Sequence, residues 1–155
     1  MSDEASNEPD VDQARKRIVE QIQKSDFYLG LLLDSILGRD SDSIDGSIQL
    51  SVIAQGAVVT GKAVSRRAWN ELFIEGVAGR NEDARAELAK SLAAVDEHVA
   101  QSRAHREQHG LPDPPHRYLH FAESTVHVGP STLQKGAWRV RVDQISGWCL
   151  GTYAT

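Results

Sequence analysis

The 155-residue chain has one cysteine, Cys149, which excludes an internal disulfide and any cysteine-rich zinc site. No stretch approaches the roughly 20 consecutive apolar residues that a membrane helix requires. The first residues are acidic and lack the basic-then-apolar order of a secretory signal, so the expected address is the cytoplasm. Positive charge is also short. Seventeen Lys and Arg stand against 22 Asp and Glu, a formal net charge of −5, which disfavours a nucleic-acid binder.

The chemical motifs are missing as well. There is no G-x-S-x-G, no G-x-x-x-x-G-K-[ST] and no G-x-G-x-x-G, and no carboxylate pair is singled out by spacing. The expectation is a protein that is not an enzyme and carries no cofactor. Asp40, Asp42 and Asp45 invite a calcium reading, but the loop has no glycine at the sixth position and no glutamate at the twelfth. His98, His105 and His109 share a helical face without cysteine or acidic partners at set positions, so no metal is expected there.

What is present centres on residues 48–73. Ile48, Leu50 and Val52 alternate with Gln49, Ser51 and Ile53, the period of a strand. Gln55-Gly56 offers a tight turn, and residues 57–64 form a second β-rich run. Ser65 is a good N-cap, after which Trp69, Leu72 and Phe73 recur at helical spacing. Strand, turn, strand, helix is the reading.

Residues 1–10 have almost nothing to bury and read as a disordered acidic arm before a single α+β domain over 11–155. Residues 11–24 read as a weakly amphipathic helix. Residues 27–37 are apolar nearly all round, with Tyr28, Leu31, Leu32 and Ile36 on one side and Leu29, Leu33 and Leu37 on another. Such a helix must be covered on every side. The preferred reading is a core helix beneath a sheet. The sharper one gives Leu29, Leu33 and Leu37 to self-association, making the chain a homo-oligomer.

A helical insertion spans 66–110, its second helix running from an Asn81 cap with Ala84, Leu88, Leu92, Val95 and Val99 as a narrow stripe. After the proline-rich 111–116, strand character returns over 117–128, and residues 131–136 read as a loop. Trp138, Val140 and Val142 alternate with Arg139, Arg141 and Asp143 as a half-buried strand. Ser146-Gly147 reads as a turn into a closing strand, 148–154. The expected core here is Trp138, Val140, Val142, Trp148 and Leu150. The fold expected is α+β, with an N-terminal helix, about five strands in a curled antiparallel sheet or small barrel, and the helical insertion between strands 2 and 3.

The segments QGAVVTGKAVSRRAW, RYLHFAESTVHVG and AWRVRVDQISGWCLG together resemble the gas-vesicle accessory proteins of the U type. Gly56, Val59, Thr60, Gly61, Ser65 and Trp69 sit where that family's hairpin and following helix want them. Tyr118, Leu119, His120 and Phe121 match its next strand. Trp138, Arg139, Gly147, Trp148, Leu150 and Gly151 match its close. Val140 stands where glycine is expected and Ser146 where aspartate is. The resemblance implies a non-enzymatic cytoplasmic protein, associated with gas vesicles, whose partners are vesicle shell protein or other accessory proteins. A small-barrel adaptor or ligand-binding module is the alternative from a different class.

Within that frame Arg66 and Arg67 are conspicuous. They sit in a helix's first turn, where the macrodipole disfavours cations by about 0.3–1 kcal/mol each. With Arg139 and Arg141 they are the candidate surface for an acidic partner.

Overall fold

A computed structural model describes residues 11–39 and 46–152. The acidic arm at 1–10, the aspartate loop at 40–45 and the last two residues of the expected closing strand lie outside the described residues.

Four helices and six strands follow in the order α1 (Val11–Lys24), α2 (Phe27–Leu37), β1 (Ser47–Ala54), β2 (Ala57–Val64), α3 (Arg66–Ala78), α4 (Glu82–Gln108), β3 (Tyr118–Val128), β4 (Ser131–Lys135), β5 (Trp138–Arg141) and β6 (Ile145–Leu150). All pairings are antiparallel, in the order β4-β3-β2-β1-β6, with β5 on the same side of β3 as β4. The class is α+β, and the helical insertion falls between β2 and β3 as expected.

The β1–β2 hairpin closes through Gln55 (φ 50°) and Gly56 (φ 80°). Both central residues have positive φ, the backbone of the two-residue turn whose twist suits a hairpin.

β5 and β6 occupy opposite edges, yet only Val142–Gln144, one 3₁₀ turn, joins them. A flat sheet would hold those edges four strand spacings apart, about 19 Å. A 3₁₀ link rises about 2 Å per residue and cannot cover that. The sheet therefore curls. The two edges do not pair with each other, so it stops short of a barrel.

Residues directly opposite in the ladder share a face. The inner face carries Leu50 and Val52 of β1, Val59 and Ala63 of β2, Leu119, Phe121 and Val126 of β3 and Val140 of β5, all buried. Helix α2 covers it with Leu29, Leu33 and Leu37, three residues at steps of four that leave under a tenth of their surface exposed. Each such leucine contributes about 1.5–3 kcal/mol through burial. Asp26 caps α2, its Oδ1 accepting from the Leu29 amide at 2.9 Å.

Three local readings change. Residues 131–135 are a strand rather than a loop; β4 is an edge strand with every residue exposed, so no alternation marks it. Ser146 and Gly147 lie inside β6 instead of forming a turn, and the turn's place is taken by Val142–Gln144, which ends β5 at Arg141. Of the expected core, Val140 is buried and Val142 and Trp148 pack partly against it, whereas Trp138 and Leu150 are 37% and 62% exposed. Both exposed residues sit on edge strands, which lack a neighbour to cover them.

Candidate functional site

The four arginines lie along the outer face of the sheet and the start of α3. Ser65 caps α3, its Oγ accepting from the Ala68 amide at 3.3 Å, and that fixes Arg66 and Arg67 in the first turn. The two diverge. Arg66 reaches across the insertion to form an ion pair with Asp96 of α4, while exposed Arg67 pairs with Glu71 one turn on at 3.8 Å.

On β5, the register sets Arg139 opposite His120 and Arg141 opposite Tyr118. Arg139 lies over the Tyr118 ring at 4.5 Å and over the Trp69 ring at 5.7 Å. Trp69 is itself buried, stacked on Phe73 at 5.0 Å and tilted against His120 at 5.2 Å. Arg141 turns away to Asp143, donating from Nε at 3.1 Å and from Nη2 at 2.5 Å. The structure thus brings Arg66 and Arg139 together around His120 and sets Arg67 and Arg141 apart from them. Burial first, then the charges of Arg139, Arg66 and His116, hold His120 down at about 4, so it is neutral near pH 7.

Leu29, Leu33 and Leu37 sit inside the chain's own core, which corrects their placement as a surface. The apolar residues that α2 leaves outside are Phe27, Tyr28 and Leu31, at 71%, 73% and 54% exposed. The α2 periodicity distinguished two sides of the helix without saying which one the sheet would cover.

Two groupings had no motif to announce them. One is a polar row across the outer face, in which Ser51, Thr60, Thr125 and Gln134 stand in register on four strands. Ser51 and Thr60 hydroxyls are 2.8 Å apart, and Thr125 donates to Gln134 Oε1 at 3.0 Å. The row borders a shallow groove of about 490 Å³ that also takes in Lys62 and Glu123. The alternation of Ser51 with Leu50 and Val52 was its visible signal. The other is an ion network tying α2 to the proline-rich connector. Arg39 donates to Asp34 at 2.8 Å and to Asp113 at 3.2 Å, and His116 Nε2 lies 2.6 Å from Asp34.

His98 and His105 face α1, lining with Val11, Ala14, Ile18 and Leu111 a groove of about 400 Å³. His105 and His109 rings stand 4.4 Å apart, and no group of three or more candidate ligands forms among the described residues. No described helix is long and apolar enough to cross a membrane.

The family model described as gas vesicle protein GvpU-like matches residues 31–153. The chain belongs to the GvpU-like family. No curated protein and no solved structure matches it. The match takes in all but the first turn of α2 and the whole sheet, and leaves α1 outside. In this GvpU-like chain the residues that carried the resemblance do structural work. Gly56 closes the hairpin, Gly61 lets β2 approach β3, Ser65 caps α3, and Trp69 packs on His120 beneath Arg139.

Proposed function

We propose that this GvpU-like protein acts in the cytoplasm on gas vesicles by binding, influencing their assembly or clustering through contacts with shell protein or other accessory proteins and through self-association. The family match over 31–153 is the observation that carries this reading. The outer surface supports it. Arg139 stacks on rings, which leaves its planar guanidinium oriented for a carboxylate. Arg67 is solvent-exposed at the start of α3. These two are the groups best placed for an acidic partner surface. Arg66, held by Asp96, and Arg141, held by Asp143, contribute mainly to the local field.

Flotation with purified gas vesicles tests it. The protein should rise with the vesicles at low ionic strength and release as salt is added, as exposed charge pairs do. Arg67→Glu with Arg139→Glu should weaken flotation and flatten the salt dependence. A wild-type chain that stays in the infranatant at low salt, or a double variant that floats undiminished, counts against the reading.

A further inference from the structure

β6 forms one edge of the sheet, and among the described residues no strand pairs with its outer side. The direction of its free groups follows from one bond. The Gly151 amide donates to the Gln49 carbonyl at 2.8 Å, so residues alternating with it, Cys149 and Gly147, also turn their peptide groups to β1. Trp148 and Leu150 turn theirs outward, where no strand among the described residues meets them.

Natural edges are commonly blunted by charge, proline or a bulge that discourages another strand. The two sides of this sheet differ in that respect. The β4/β5 side carries Lys135, Arg139 and Arg141, so two copies meeting there would oppose like charges. β6 reads Ile-Ser-Gly-Trp-Cys-Leu, with no charge and no proline. Apolar surface continues from it. The Trp148 Nε1 donates to Asp26 Oδ2 at 2.9 Å, fixing the start of α2 beside β6, and exposed Phe27, Tyr28 and Leu31 follow directly. Leu150 is exposed on the same face of the sheet as the core.

We infer that β6 is the dimer edge of this protein, pairing antiparallel with β6 of a second copy to continue one sheet across both. The inference rests on the self-association part of the proposed function and gives it a location. The occupant is a second copy because an uncharged antiparallel edge is complementary to itself: about a two-fold axis normal to the sheet, apolar β6 meets apolar β6 without opposing charges. That axis keeps both inner faces on one side, so the two α2 helices lie on the same side of the joined sheet, each exposing Phe27, Tyr28 and Leu31 on the side opposite its buried leucines. Outward peptide groups must meet outward groups, which allows registers centred on Trp148 or on Cys149. Both leave the two Cys149 Cα atoms within about 10 Å.

The test uses the full chain. Light scattering over a concentration series should show a dimer, and a nitroxide on Cys149, the sole cysteine, should give dipolar-broadened spectra. Leu150→Lys puts a charge on the exposed edge, and Leu150→Pro removes an outward N–H that the fold does not use. Each should raise the dimer dissociation constant at least tenfold and abolish the broadening, with far-UV circular dichroism unchanged. A monomeric wild type overturns the inference, even if that monomer still floats with vesicles and so leaves vesicle binding standing. A dimer with no broadening, or one that survives both substitutions, overturns the edge and leaves self-association through another surface.

Discussion

A Cβ built on Gly61 would stand 2.1 Å from the carbonyl oxygen of Glu123. The contact is backbone, beside the point where the β2–β3 register slips between Lys62 and Ala63, so a side chain there has no flexible neighbour to push aside. Gly61→Ala should therefore cost about 1–3 kcal/mol, the usual range for overpacking. A urea midpoint equal to wild type would show that the two strands can separate freely.

His120 makes stability depend on pH. An unfolded histidine titrates near 6.5 and the folded one near 4, so between those values the unfolded chain binds more protons. Stability is fully present above about 6.5 and is lost as pH falls toward 4, by roughly 2–3 kcal/mol from this group. His120→Phe should shrink the difference in unfolding free energy between pH 7 and pH 4.5. Equal pH dependence in variant and wild type would mean that His120 is not held neutral by its surroundings.

The two sides of α2 should answer oppositely to charge. Leu29→Glu places a carboxylate where only 1% of the side chain's residue surface meets water, and should cost at least about 3 kcal/mol or prevent folding. Leu31→Glu, on the exposed side, should change stability by no more than about 0.5 kcal/mol. Thermal melts decide it, and similar losses for the two substitutions would contradict the placement of the helix.

Trp148 and Asp26 are joined across 122 residues of sequence. The bonds from the Leu29 amide and from Trp148 hold the Asp26 carboxyl below its ordinary value. Trp148→Phe keeps a ring against the core and removes the donor. A double-mutant cycle with Asp26→Asn should give a coupling of about 1 kcal/mol at neutral pH. The coupling should fade as acid titration carries the carboxylate through its lowered pKa and protonates it. Strict additivity would mean that the pair contributes nothing.

Much of this architecture was readable because strand and helix periods are local. Leu50 and Val52 announced their own face, Ser65 and Asn81 their own helix starts, and Gly56 its own turn. Edges are not local. Ser131–Lys135 has no buried residue, so nothing in its sequence marks it as a strand; only the facing β3 makes it one. Trp138 and Leu150 have the composition and spacing of core residues and lose their cover by lying at the margins. The arginine surface was half visible for the same reason. Alternation identified Arg139, Arg141 and Asp143 as sharing a face, so the partner that holds Arg141 was within view, but Asp96, which decides how free Arg66 is, comes into range only through folding.

The place of β6 gives the molecule two tempos. Hairpin β1–β2 and the α3–α4 pair form from neighbouring residues, whereas Leu50 meets Leu150 only after a loop of a hundred residues has closed. Loop-closure entropy penalises such long-range pairings and makes them late. β6 should thus be the strand that docks last and releases first. Its amides should exchange with solvent through openings that leave β1, β2 and β3 intact, and each opening transiently bares the β1 edge and the Leu50 row beneath it.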